Sequence, residues 1–134
     1  MIIQYNPRLK KRINKYLDEK NKKIFADPHY KKFLLRKNKE ILGWVVIEKS
    51  LDRLLIEWMF VRKEFRNQNV GSILLKEIIK YAKKQKFRGI SVNTGNKNKG
   101  AQRFYKRHGF KKVGEVKKFF KIDSKHIFFW YQSR

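Results

Sequence analysis

The stretch VRKEFRNQNVGSILL, from Val61 to Leu75, joins the end of an apolar segment to the start of a helical pattern. Between residues 66 and 72 it offers Arg66, Gly71 and Ser72 and no acidic side chain. Free backbone N–H groups at a helix start, the positive end of the helix dipole and a guanidinium together suit a pyrophosphate. The same residues also fit an ordinary helix start capped by Asn67 or Asn69. Just upstream, Glu57 is the one charged residue within LLIEWMFV. Burial disfavours its charged form and would raise its pKa toward neutrality, as a general base requires. In so basic a chain, pairing with a neighbouring Lys or Arg is an equal alternative.

Other chemistries are excluded by composition. The chain has no cysteine, so disulfides, thiolate nucleophiles, cysteine zinc sites and iron–sulfur clusters are ruled out. Its three histidines, His29, His108 and His126, are too far apart in sequence for a motif such as HExxH, and no bound metal is expected. The longest uninterrupted apolar run is Ile127 to Tyr131, too short for a signal peptide or a membrane span, so a cytoplasmic protein with no membrane insertion is expected. With 36 Lys+Arg against 11 Asp+Glu, the net charge is +25. Basic residues crowd the part from Ser91 to Arg134, where Glu115 and Asp123 are the only acids. That field attracts polyanions or a phosphorylated cofactor and repels cations. A lysine-rich composition with mostly solvated side chains is the plainer explanation of the same numbers.

The length of 134 residues, 41% hydrophobic, suits a single domain over residues 1–134. Residues 2–5 read as a short strand. Asn6 and Pro7 begin a helix, and Leu9, Ile13, Tyr16 and Leu17 give it an apolar stripe running to about Lys23. Residues 24–30 read as a loop. Three extended stretches follow, at 32–37, 41–48 and 53–61, with connections short enough for antiparallel hairpins. In the third, strict alternation puts Leu55, Glu57, Met59 and Val61 on one face and Leu54, Ile56, Trp58 and Phe60 on the other. From Gln68 to about Gln85 the period becomes 3.6, with Val70, Leu74, Leu75, Ile78, Ile79, Tyr81 and Ala82 on one half of the helix and Lys76, Glu77, Lys80, Lys83 and Lys84 on the other. Residues 90–94 form the next strand, which implies a parallel crossover. A short helix from about Lys99 to His108 carries Ala101, Phe104 and Tyr105 on one face and ends at Gly109, suited to a left-handed cap. Residues 113–122 and 126–132 read as a final hairpin, with Phe119, Phe120, Phe128 and Trp130 as its core and with exposed edges that suit a homodimer.

Arg66, Asn67, Gln68, Asn69, Val70 and Gly71, following a strand that ends in valine, resemble the acyl-CoA signature of the GNAT family of N-acetyltransferases, Arg/Gln-x-x-Gly-x-Gly/Ala. Asn69 stands where the first glycine is usual. Asparagine tolerates the left-handed conformation best after glycine, so the loop still forms, with less room against the phosphates. A second block, NKGAQRFYKRHGF from Asn98 to Phe110, is similar to the family's Asn-x-x-Ala-x-x-Phe-Tyr-x-x-x-Gly-Phe.

The resemblance implies an α/β fold with a mixed, mostly antiparallel sheet, splayed central strands and helices on both faces. It implies acetyl-CoA as cosubstrate, with the backbone of Met59, Phe60 and Val61 along its pantetheine arm. Residues Arg66, Asn67, Gln68, Asn69, Val70, Gly71 and Ser72 lie at its pyrophosphate, and Asn98 hydrogen-bonds the arm from the other side. Tyr105 near the sulfur stays protonated at neutral pH and can return a proton to the thiolate. Glu57 is the candidate base for the acceptor amine. The family does not fix that acceptor. The charge favours an anionic or macromolecular amine carrier, such as an aminoacyl-tRNA, a ribosomal particle presenting a protein N-terminus, or an amino-sugar nucleotide. A nucleic-acid-binding protein and a non-catalytic acyl-CoA sensor are the readings from other classes.

Overall fold

The computed structural model describes residues 1–134. Strand β1 (Ile2–Gln4) runs into Asn6, whose side chain accepts the Arg8 N–H at 3.0 Å, while Pro7 opens a 3-10 turn (Pro7–Leu9) leading to helix α1 (Lys10–Asn14). The expected single helix to Lys23 is broken in two. Asp18 accepts the Asn21 N–H at 2.8 Å and starts helix α2 (Glu19–Ala26). A side-chain cap competes with continuing the backbone ladder, and here the cap wins.

Strands β2 (Tyr30–Lys37), β3 (Glu40–Ser50) and β4 (Arg53–Val61) form the expected antiparallel meander. Helix α3 (Val70–Lys84) buries Val70, Leu74, Leu75, Ile78 and Ala82, and strand β5 (Gly89–Gly95) follows it. Helix α4 (Lys99–Arg107) ends at Gly109, whose φ of 90° is left-handed as expected. Strands β6 (Lys111–Lys117) and β7 (Lys125–Gln132) close the chain. The seven strands lie in the order β1-β2-β3-β4-β5-β7-β6, and β4–β5 is the one parallel pair. That pair is short: it covers Arg53–Leu55 against Gly89–Ser91, after which the strands separate.

Both faces of the sheet are covered. On one, α3 packs over a core that includes Leu54, Ile56 and Ile90, with Met59, Val61 and Tyr81 partly buried against it. On the other, α1 and α2 cover Leu34, Trp44 and Val46, with Trp58, Phe60 and Tyr30 packed alongside. This distribution corrects the strict alternation expected of β4. Val46 pairs with Trp58 and Ile47 with Ile56, so Glu57 is the extra residue of a β-bulge. Past the bulge the faces exchange: Leu54 and Ile56 share the α3 face with Met59 and Val61, and Trp58 and Phe60 face α1 and α2. The terminal hairpin differs as well. Strand β6 stops at Lys117, and Phe119 and Phe120 are exposed beyond it rather than buried in a hairpin core.

Candidate active site

The separation of β4 from β5 opens a cleft of about 730 Å³ on the α3 face. Met59 and Val61 wall one side, the start of α3 forms the floor, and Ala101, Phe104 and Tyr105 of α4 close the other. The loop into α3 turns through two left-handed residues, Asn67 (φ 64°) and Asn69 (φ 63°). Asn69 occupies the cap position without a side-chain cap bond, and the first backbone bond of the helix is Ile73 N–H to Asn69 C=O at 3.0 Å. The earlier N–H groups are therefore left for a ligand, which an Asn69 side chain acting as an ordinary cap would have partly consumed. The Arg66 Nε–H donates to the Val61 carbonyl at 3.2 Å, fixing the guanidinium against the end of β4 at the rim. A Cβ on Gly71 would come within 3.3 Å of the Phe104 ring, so the missing side chain lets α4 close over the start of α3.

Of the residues singled out in the sequence, Met59, Val61, Arg66, Asn67, Asn69, Val70, Gly71, Ser72 and Tyr105 line this cleft. Four others do not. The Phe60 side chain stacks on Trp44 on the opposite face, at 4.8 Å between ring centroids, leaving only its backbone on the cleft strand. Gln68 donates to the Glu64 carbonyl at 3.3 Å. Asn98 caps α4, accepting the Ala101 N–H at 3.1 Å. Glu57 is carried by its bulge away from Val61, so the shared face expected for the two does not exist. Phe65, Gly100, Ala101, Phe104 and Arg107 also line the cleft. Ala101 and Phe104 were readable as the face of α4 that carries Tyr105, and the other three carried no signal.

Tyr105 is buried among Phe104, Phe110 and Phe129, and burial pushes its pKa up to about 12. Glu57 takes part in none of the six ion pairs of the chain, which overturns pairing with Lys or Arg. The residue is exposed, yet the protein around its carboxyl, a hydrogen bond with Glu48 and the charge of that neighbour raise its pKa to about 7. Glu48 in turn lies 3.2 Å from the His29 Nε2. Neither residue could be found in the sequence, because only the register of β3 on the bulged β4 brings them to Glu57. Tyr105 lines the cleft and Glu57 lies on the bulged β4 outside its lining, each with a pKa raised well above the ordinary value for its type.

Comparison with known proteins fits this architecture. A model of the acetyltransferase (GNAT) family matches residues 4–110. An uncharacterised N-acetyltransferase of Methanocaldococcus jannaschii is 39% identical over 75 residues, covering 56% of this chain and 33% of that protein. The matches span about a third of the length of the curated relatives. Among solved structures, the ribosomal-protein-S18-alanine N-acetyltransferase of Escherichia coli superposes with a TM-score of 0.84 at 17% identity, covering 98% of this chain and 92% of that one. A GNAT family acetyltransferase of Elizabethkingia anophelis with acetyl-CoA bound gives 0.80 at 21% identity, covering 98% and 97%.

Proposed function

The chain belongs to the acetyltransferase (GNAT) family, and from that premise we propose that it moves an acetyl group from acetyl-CoA to a primary amine by direct attack in a ternary complex. The observation that carries this reading is the gap in the sheet. Beyond Leu55 strand β4 has no partner on its β5 side, and the cleft reaches Met59, on the same strand as Glu57. A donor held in the cleft and an amine arriving from the α1–α2 face would meet there.

The residues present fit acetyl-CoA. The uncapped start of α3, with Arg66 at its rim, suits the pyrophosphate, and the edge of β4 at Met59–Val61 that faces away from β3 has no strand partner where a pantetheine amide would lie. When bound, acetyl-CoA supplies a thioester whose acyl carbon takes the electron pair of the amine as the C–S bond breaks. Glu57 takes the proton of the amine, directly or through a water, because its pKa near 7 leaves it ionised at slightly alkaline pH. Tyr105 returns a proton to the thiolate, since at a pKa near 12 it stays protonated throughout the working range. The sign follows from Glu57: activity rises as pH increases through about 7 and is lost below it.

The acceptor we propose is an amine on an anionic or macromolecular carrier, RNA-linked or ribosomal, in the cytoplasm, because a net charge of +25 repels polycationic amines. A homodimer through the open β6 edge belongs to the same proposal, and sedimentation velocity reads it. Calorimetric titration with acetyl-CoA at physiological salt, with an unrelated polyanion as control, tests the central claim. Saturable one-to-one binding of acetyl-CoA alone is expected. Equal binding of both, weakening together as salt rises, would mean that charge rather than the Arg66–Ser72 loop is responsible.

A further inference from the structure

Glu57 has two neighbours that the reaction outlined above does not use. The bulge that makes it the extra residue of β4 turns it toward Glu48, which sits on β3 opposite Leu55. The Glu48 carboxyl hydrogen-bonds to that of Glu57, and its Oε1 lies 3.2 Å from the His29 Nε2. Three segments therefore contribute one titratable side chain each: the loop before β2, the end of β3 and the bulge of β4. The backbone N–H of His29 donates to the Asp27 carboxylate at 2.9 Å, and its ring packs edge-on against Tyr30 at 5.1 Å, so the imidazole is held in place.

The charge around this cluster is unlike that of the rest of the molecule. In a chain with 36 basic residues against 11 acidic ones, neither carboxyl is paired with a lysine or arginine, and the one counter-ion of Glu48 is an imidazole. A permanent cation would hold both carboxylates ionised. With a titratable partner, two touching carboxyls share one proton, and their titration belongs to the pair. The other groups facing the pair are the Tyr30 hydroxyl, in register with Glu48, the Asp27 carboxylate and Arg53, whose guanidinium is tied to the Ser91 hydroxyl at 3.2 Å. The His29 side chain is 55% exposed, so the cluster opens to water at its far end.

We propose that Glu48 and His29 are positioning residues for Glu57, forming a path along which the proton taken from the acceptor amine is shared with Glu48 and released to water through the His29 ring. The inference rests on the reading of Glu57 as the group that accepts that proton. In the balance, the ammonium loses one proton to the Glu57 carboxylate, the Glu57–Glu48 pair passes one to the His29 ring, and that ring gives one to solvent.

The test is a carboxyl-carbon NMR titration of the free protein, paired with the pH profile of acetyl transfer to a neutral dipeptide amide used as probe. Glu48→Gln removes a like charge, so the Glu57 midpoint should fall by about one pH unit, and the acid limb of kcat/KM should move down with it. His29→Gln removes a group whose charge lowers the Glu57 pKa and should move both upward. Glu48→Asp keeps the charge and should restore the original profile. The inference is overturned if the midpoint is unmoved in both substitutions, or if it moves while the acid limb stays in place. Absence of transfer by the unaltered protein would sink the acetyltransfer reading instead, while the NMR midpoints would still report the coupling.

Discussion

Tyr105 is buried against Phe104, Phe110 and Phe129, where a phenol loses its proton with difficulty. A weak acid is still useful to a leaving thiolate that must not depart as an anion into an apolar cleft. Phenylalanine fits the same apolar surroundings, so Tyr105→Phe should keep the fold and the affinity for acetyl-CoA. The expected loss is about 10²-fold in kcat with little change in KM for acetyl-CoA, read by steady-state kinetics. Equal turnover in the two proteins would leave Tyr105 as a packing residue. Residue type carried Tyr105 and Asn69 into view from the sequence, because a phenol and a left-handed asparagine announce their own chemistry. Glu57 was visible as a lone charge in an apolar strand, but its orientation was not. Its partners His29 and Glu48 had no signal at all, since they lie 28 and 9 positions away from it in sequence.

At the scale of elements, the backbone decides where these side chains go. One extra residue in β4 exchanges the faces of the strand, and a period-2 reading without a bulge assigned Glu57 to the side of Val61. The same kind of local competition split the first helix at Asp18. The hydrophobic period could not report either event, because a bulge and a side-chain cap leave the composition of a segment unchanged. By contrast, helix α3 and the meander were legible, since long periodic stretches leave little choice of buried face. The α3 entry loop makes a testable case. Asn69 sits at φ 63°, a conformation that costs a β-branched residue roughly 1–2 kcal/mol. Asn69→Val should lower stability by about that amount in urea titration and weaken acetyl-CoA binding, whereas Asn69→Gly should preserve stability and bind at least as tightly. Tighter binding by the valine variant would mean that the left-handed turn does not form the cradle.

For the molecule as a whole, net charge and surface aromatics bear on the acceptor. Strand β6 is an open sheet edge that carries lysines at 111, 112 and 117, and Phe119 and Phe120 lie exposed just past it. Exposed rings beside lysines can stack on bases while the cations meet phosphates, and those contacts lie away from the cofactor cleft. An RNA-borne amine would then be recognised in two parts, its carrier by this surface and its ammonium by Glu57. The two parts respond differently to salt. Release of counterions from a polyanion makes log affinity fall linearly with log salt, whereas a neutral dipeptide amide has no counterions to release. With acetyl-CoA saturating, raising potassium chloride from about 50 to 200 mM should reduce kcat/KM for an aminoacyl-tRNA by about 10²-fold or more. The dipeptide amide should change little over the same range. Substituting Phe119 and Phe120 by alanine should lower kcat/KM for the RNA-borne amine alone. If both acceptors respond to salt alike, the dependence arises at the cofactor's phosphates, and the positive charge has no part in choosing the acceptor.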